Sequence, residues 1–457
     1  MSMYGVEDTI AAISTPVGEG GIGIIRISGP KSLNLVTTLF VTGCPDLMLQ
    51  SYRLYYGHIV DPAAGRIVDE VLLSYMQAPH SYTREDVVEI NCHGGIVPLQ
   101  EILGLCLRQG ARQALPGEFT LRAFLNGRLD LSQAEAVLDV IQSKTEAGLR
   151  AALGQLDGRL SERIKAMRGR LLGSLAYLTA TIDFTEQEIP PQDIGPGLVS
   201  VRDELQELLH EADRGIIYRH GVRAAIVGRP NVGKSSLLNA LLRVNRAIVT
   251  PVPGTTRDTL EETLNLRGVP VVLVDTAGIN EQAQGVVEQL GIERSRVALE
   301  QADLALWVVD GSQPLTEADW TIADLLPQRP VLILINKMDL PAVADTSGLV
   351  PSAPRIHASA LTEAGLSDLE EVILETVFGE KISVADTPLI NSRRHKNAIE
   401  HALNHLRAAV QSYEEEWPSD FTTIDLTSAC NELGEITGET VTEDLLETIF
   451  SNFCIGK

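Results

Sequence analysis

The sequence predicts a multidomain protein: an α+β N-terminal domain, an all-α helical domain, and an α/β domain inserted into the helical one. Three observations predict this. Residues 1–120 mix short β-like runs with turn signals, residues 120–219 and 389–457 carry apolar residues at helical spacing, and residues 221–380 alternate strand and helix patterns. An α/β block flanked by two stretches of one helical texture reads as an insertion whose entry and exit points lie close together. The predicted domains are 1–119, 120–220, 221–380 and 381–457.

In chain order, residues 23–27, 71–75 and 87–90 read as strands, separated by turn-prone stretches at 61–65 and 78–81. Gly18, Gly20, Gly21 and Gly23 precede the first strand, and Pro116-Gly117 punctuates the end of the domain. Helical spacing then takes over with Leu121, Phe124 and Leu125, followed by Leu131, Ala134, Val137, Leu138 and Ile141. Breaks are expected at Ile189-Pro190-Pro191 and Gly195-Pro196-Gly197. Strands of a parallel sheet are expected at 223–227, 269–275, 304–310, 331–336 and 355–358. The helical texture returns with Ile399, Leu403, Leu406 and Val410, then Leu445, Leu446, Ile449 and Phe450.

Composition narrows the class. At 457 residues the chain is long enough for about two to four domains. With 44% hydrophobic residues it can build ordinary cores, which excludes a mostly disordered protein. Lys and Arg number 37 against 61 Asp and Glu, a net charge of −24, so indiscriminate adhesion to phosphate backbones or anionic membranes is not expected. No run approaches about 18 apolar residues, so no membrane span is expected. The N-terminus carries Glu7 and Asp8, with no cation before Arg26, unlike a signal or transit peptide. The five cysteines form no C-x-x-C pair, and an odd number of them suits reduced thiols in the cytoplasm.

The chemistry begins at Gly228-Arg229-Pro230-Asn231-Val232-Gly233-Lys234-Ser235, a G-x-x-x-x-G-K-S loop between a strand and an apolar helical run that starts at Ser236. Glycines let such a loop wrap phosphates, and its amides and the helix N-terminus supply positive dipoles. Lys234 reaches the β/γ-phosphates in this pattern, and the Ser235 hydroxyl ligates Mg²⁺. Three further motifs select guanine. Asp275-Thr276-Ala277-Gly278 ends a strand, putting a carboxylate near the metal's outer shell and an amide near the γ-phosphate. Asn336-Lys337-Met338-Asp339 ends another, with a carboxylate able to accept both N–H groups of the guanine edge. Ser359-Ala360-Leu361 ends the last strand and backs the base's O6 with an amide. In order and placement these motifs resemble those of Ras-like GTPases. Thr255-Thr256-Arg257-Asp258 would supply the switch hydroxyl, with Thr256 as second Mg²⁺ ligand.

One absence matters. The glutamine that orients water in Ras follows the glycine of this motif, and Ile279 stands there instead. Another polar group, or a changed electrostatic arrangement, must serve. Asn231 either presents its amide oxygen to a monovalent cation beside the phosphates or bonds the loop's own backbone.

The whole chain resembles the MnmE (TrmE) family of GTPases that modify the tRNA wobble uridine. The likeness rests on Gly20-Gly21-Ile22-Gly23-Ile24-Ile25-Arg26-Ile27-Ser28-Gly29, His93-Gly94-Gly95, Pro116-Gly117-Glu118-Phe119-Thr120 and Arg122-Ala123-Phe124-Leu125-Asn126-Gly127, together with the inserted G domain and the terminal Cys454-Ile455-Gly456-Lys457. The resemblance implies a tetrahydrofolate-binding-like N-terminal domain that dimerises, a helical domain built from both flanks, and G domains that approach one another with GTP and K⁺. It implies K⁺ ligands Asn231, Thr250, Val252 and Thr255, the last three in Thr250-Pro251-Val252-Pro253-Gly254-Thr255. It also implies a water-orienting glutamate, Glu288 or else Glu281, ahead of Gly291-Ile292-Glu293-Arg294.

For a one-carbon folate such as 5-formyl-tetrahydrofolate, the motif matches imply Arg26, Glu89, Arg128 and Lys457. A glutamate pairs with pterin N–H donors, and cations suit glutamyl carboxylates. Arg128 stands where the family often has lysine, which changes the contact's geometry. Cys454 is either a nucleophile or general acid, or a small residue packed near a pocket. His93 is expected to shape a turn. An FAD-dependent partner, MnmG, is implied, and it relieves a difficulty: residues 381–457 carry 6 Lys/Arg against 13 Asp/Glu, a poor surface for RNA. Residues 121–220 carry 12 against 15, with Arg159, Arg163, Lys165, Arg168 and Arg170 clustered. The rival reading is a ribosome-assembly switch GTPase whose flanking domains only bind RNA or protein. The N-terminal domain and the terminal tetrapeptide fit only the first reading.

Overall fold

The computed structural model describes residues 8–43, 48–184, 189–245, 262–274, 299–300, 302–326, 330–378 and 389–457. In chain order the elements are β1 Ile10–Ile13, β2 Gly23–Ser28, α1 Ser32–Leu39, β3 Phe40–Val41, β4 Arg53–Asp61, β5 Arg66–Met76, β6 Val87–Cys92, α2 Ile96–Arg108, β7 Arg112–Gln113 and α3 Glu118–Leu125. Helices α4 Leu131–Gln142, α5 Glu146–Leu156, α6 Arg159–Asp183 and α7 Gly195–His220 follow. The next stretch holds β8 Val222–Val227, α8 Lys234–Asn245, β9 Glu262–Leu266, β10 Val269–Val274, β11 Leu304–Asp310, α9 Glu317–Leu325, β12 Val331–Asn336, β13 Arg355–His357 and α10 Leu366–Phe378. Helices α11 Arg393–Glu414, α12 Ser419–Thr437 and α13 Glu443–Ser451 close the chain.

Two compact units emerge. The first comprises the described residues of Met1–Leu138, Gln155–Arg202 and His401–Lys457. Its seven-stranded sheet runs β3-β4-β5-β6-β2-β1-β7, antiparallel except for the β1–β7 pair. Alternation along β2 sends Ile25 and Ile27 to one face, where they pack with Leu73, Ile90, Val36 of α1, and Leu99 and Ile102 of α2. Arg26 falls on the opposite face, in register with Glu89 on β6. On that face Ile10, Ala12, Ala114 and Phe119 pack together against Tyr82.

A buried charge network fixes α3 to this sheet. The Arg122 side chain is only 3% exposed and pairs with Asp8, Glu85 and Glu118, while Arg112 holds Asp8 and Glu118 from the other side. Burial alone would raise the Glu118 carboxyl, but bonds from Arg112, the Leu115 amide and Arg122 outweigh it and hold the group below its ordinary range. Gly117, at φ 66, starts α3, and a Cβ there would stand 2.7 Å from the Phe450 carbonyl oxygen. The amphipathic α13 lays Ile449 and Phe450 against Leu121, Leu131 and Ala134. Helices α6 and α12 pack along each other, and Arg168 Nε caps the Cys430 carbonyl at 2.9 Å.

The second unit comprises the described residues of Asp139–Gly154 and Asp203–Glu400. Its six-stranded sheet runs β13-β12-β11-β8-β10-β9 and is parallel apart from the β9 edge. Every residue of β10, β11 and β12 is buried, the mark of strands covered on both faces. The two apolar layers are built around Leu237, Leu241 and Leu369 on one side and Trp307, Ile333 and Ile322 on the other.

Strands β1, β3, β4 and β7 join the three N-terminal strands named from the sequence, and two further features depart from the expectation. Strand β9 was not expected; its sequence, ETLNL, is half polar because it is an edge. Gly195-Pro196-Gly197 forms the first turn of α7 rather than a break, since proline lacks only an amide that the first turn would leave unsatisfied.

Candidate functional site

Loop 228–233 joins β8 to α8, and its shape depends on residues that tolerate unusual backbone angles. Gly228 sits at φ +153, where a Cβ would lie 2.5 Å from the Val308 carbonyl oxygen. Gly233 sits at φ +99, where a Cβ would lie 2.3 Å from Asn336 Nδ2. Asn231 adopts φ 65, in the left-handed region that asparagine accepts more readily than most residues. Lys234, the first residue of α8, turns its ammonium back over this loop and donates to Gly228 O at 2.7 Å and Arg229 O at 2.8 Å. Burial pulls its pKa below the ordinary lysine value, and no carboxylate among the described residues pairs with it. Val232 is buried beneath the loop, Ser235 is half-buried and Ser236 exposed on the first turn of α8.

The strand ends β8, β12 and β13 are tied together by one side chain. Asn336 Nδ2 donates to Val232 O at 2.8 Å, and its Oδ1 accepts from Ala360 N at 3.0 Å. The neighbouring Lys337, at φ 64, pairs with Asp310 at 2.7 Å. Asp310 is held below its ordinary pKa because bonds from Lys337 and Ser312 outweigh the cost of its burial. Ser359 Oγ donates to Asp339 Oδ1 at 2.6 Å, fixing the carboxylate's rotamer at the sheet's C-terminal edge. The Met338 amide bonds Ala358 O, and Leu361 projects into solvent at 80% exposure. A loop of amides with an unpaired ammonium, beside an oriented carboxylate, suits a phosphorylated ligand with N–H donors on its base. Thr250, Pro251, Val252, Pro253, Gly254, Thr255 and Thr256 lie outside the described residues, as do Asp275, Thr276, Ala277, Gly278, Glu281 and Glu288.

The second cluster lies on the face of the first unit's sheet opposite the α1 and α2 layer. Arg26 Nε and Nη2 both reach Glu89 Oε1 at 2.8 Å. The guanidinium lies over two rings, 5.6 Å from the Tyr82 centroid and 5.7 Å from that of Phe119. Arg128 sits over the same Tyr82 ring at 4.8 Å and donates to the Tyr82 carbonyl at 2.9 Å. The chain's end docks beside them. Gly456 O accepts from Ser14 Oγ at 3.1 Å and from Arg26 Nη1 at 3.4 Å, while the Gly117 and Phe119 amides bond the Cys454 and Lys457 carbonyls.

Burial, and then the charge of Arg26, push the Lys457 ammonium below its ordinary pKa, with Glu89 opposing. The Cys454 thiol is exposed and near enough to act on the Lys457 charge. Cys92, Cys106 and Cys430 are buried, and burial pushes their thiols up to about 11, 12 and 11. His93 stays at the turn after β6, where Asp69 accepts from its amide at 2.8 Å and faces its Nδ1 at 2.6 Å.

Thus Arg26, Glu89, Arg128, Cys454 and Lys457 come together on one face, though 431 residues separate Arg26 from Lys457 (457 − 26). Sequence reasoning missed Tyr82, Phe119 and Ser14 as partners of this cluster. Phe119 stood within a noted motif, whereas nothing local marked Tyr82 or Ser14.

Comparison with known proteins completes the picture. Residues 9–128 match the family described as GTP-binding protein TrmE N-terminus, and residues 131–454 match the MnmE helical domain. A tRNA modification GTPase MnmE of Chloroflexus aurantiacus is 52% identical over 455 residues, covering 99% of this chain and 100% of the relative. A protein of the same name from Desulforamulus reducens is 48% identical over 461 residues, again covering 99% and 100%. With both domain families in chain order and relatives aligned along their whole length, the chain belongs to the MnmE (TrmE) family.

Proposed function

We propose that this chain is a K⁺-dependent GTPase of tRNA modification that hydrolyses GTP to GDP and phosphate. In this reading it works as a cytoplasmic homodimer with an MnmG partner, and the pair modifies carbon 5 of the wobble uridine using a folate one-carbon unit. The observation that carries the folate half is the docking of the C-terminal turn against Arg26, with Gly456 O accepting from its guanidinium and from Ser14. A cluster with a fork-held glutamate, stacked arginines and a partly desolvated lysine has the donors and acceptors that a pterin with a glutamyl carboxylate needs.

Each group then has a task. Lys234 and the loop amides hold the GTP phosphates, Asp339 reads the guanine edge, and Ser235 with Thr256 would ligate Mg²⁺. Asn231, Thr250, Val252 and Thr255 would offer oxygen ligands to K⁺, a weakly hydrated cation that oxygen dipoles suit. The exposure of Asn231 on this loop supports this reading. A bound K⁺ there supplies positive charge where charge develops on the transferred phosphoryl group. Glu288 would orient the attacking water. Cys454, exposed beside Lys457, would act on the one-carbon transfer.

The test is equilibrium binding of 5-formyl-tetrahydrofolate to the intact chain. Saturable binding is expected, and Glu89→Ala weakens it about tenfold, the loss of one charged hydrogen-bond partner. Failure of a GTP-hydrolysing chain to bind the folate at all would sink the one-carbon reading. It would leave the ribosome-assembly switch, for which ribosomal subunits are the partners to assay.

A further inference from the structure

Beside the folate cluster opens a cavity of about 660 Å³, within the size range of small-molecule sites. It lies between the α3–α4 turn and the α12–α13 turn. Its walls mix apolar and polar surface: Phe124 and Leu129 stand on one side, Val441 and Leu446 on the other, and Arg128 and Lys165 bring cations to it. Arg128 therefore belongs both to the cavity and, through the Tyr82 ring it shares with Arg26, to the folate cluster.

We infer that this cavity receives the oligo-γ-glutamyl tail of the folate, with Arg128 and Lys165 in its lining as carboxylate contacts and Arg84, against Gly127, at its rim. The inference rests on the folate reading above and extends it from the cofactor's head to its tail. Its main support is the state of the arginines. Arg84 donates to Asn126 O at 2.8 Å and Arg128 to Tyr82 O, and among the described residues neither pairs with a carboxylate. In a chain of net charge −24, two such neighbouring guanidiniums are conspicuous. They flank Gly127, whose added Cβ would come 3.4 Å from Arg84 Nη1.

The cavity's acids are already engaged. Asp130 pairs with Lys165 at 3.1 Å and accepts from the Gln133 amide at 3.0 Å, and Glu439 pairs with Arg168. A tail carboxylate can join Lys165, which keeps half of its side-chain surface exposed, without stripping Asp130 of every partner. The apolar side chains among the lining, Phe124, Leu129, Val441 and Leu446, suit the methylenes between carboxylates. RNA is disfavoured because α12 and α13 belong to the stretch with 6 Lys/Arg against 13 Asp/Glu, which repels an extended phosphate backbone.

The experiment titrates the intact chain with 5-formyl-tetrahydrofolate carrying one or three glutamates. The triglutamate is expected to bind at least about tenfold tighter. Lys165→Ala and Arg84→Ala each bring that ratio toward one while the monoglutamate affinity holds, and Lys165→Arg keeps the preference. Equal affinity for both ligands in the unmodified chain overturns the tail site. So does a preference that survives both alanine changes, and equally one that survives while binding of an anticodon stem-loop RNA falls. A chain that hydrolyses GTP but binds neither folate overturns the folate reading itself, a different failure.

Discussion

Exchanging Lys234 for alanine is expected to cut GTP turnover by about 10²–10³-fold, the usual cost of removing one preorganised donor from a developing charge. The ammonium's two bonds are to Gly228 O and Arg229 O, loop carbonyls that water can satisfy when the side chain is gone. Burial lowers its pKa and no carboxylate among the described residues pairs with it, the arrangement expected of a cation whose counter-charge is a ligand. Fold stability should therefore change little. Two bonds from a charged donor contribute about 1.5–3 kcal/mol each before desolvation, and relief of a buried charge offsets much of that. Lys234→Arg should not rescue turnover, because a planar fork cannot replace a compact ammonium under a glycine loop. Single-turnover hydrolysis with saturating GTP and K⁺ decides the matter; a rate within tenfold of the unmodified chain would remove Lys234 from the phosphate site.

How much of this was legible in the sequence depends on whether the determining physics is local. Strands β10, β11 and β12 could be read because burial on both faces demands unbroken apolar runs. The loop from Gly228 to Gly233 could be read because its backbone angles and close approaches exclude most residue types. Strand β9 could not, since an edge needs only one apolar face and its identity comes from pairing with β10. The Arg122 network was equally opaque. Its partners Asp8 and Glu85 lie 114 and 37 residues away, and no spacing rule links them. Tyr82 becomes a platform for Arg26 and Arg128 only once β2 and the α3–α4 turn have been brought to the same face. Tertiary packing, not local pattern, created that part of the site.

The same reasoning sets the second large effect at Gly456. Gly456→Ala is expected to weaken 5-formyl-tetrahydrofolate binding about 10–100-fold, nearly as much as deleting residues 454–457. Gly456 sits at φ +93, and its added Cβ would stand 2.3 Å from the Ile13 carbonyl oxygen. Ile13 ends β1 and pairs with Ile25 of β2, so the obstacle is ladder backbone rather than the far end of a flexible side chain. The C-terminal turn must lift instead. Lifting breaks the bonds of Gly456 O to Ser14 and Arg26, and strains those from the Gly117 and Phe119 amides to Cys454 and Lys457. A folate bound as proposed would then lose the Lys457 cation, a charged contact of about 1.5–3 kcal/mol, which is the 10–100-fold quoted. Ile455→Ala is the control, because that side chain is 49% exposed and its loss should stay within about 0.5 kcal/mol. Carboxypeptidase offers an independent readout: the docked end should resist trimming in the unmodified chain and be removed rapidly from Gly456→Ala. A Gly456→Ala chain that binds folate as tightly as the unmodified one would show that binding does not need the docked C-terminal turn.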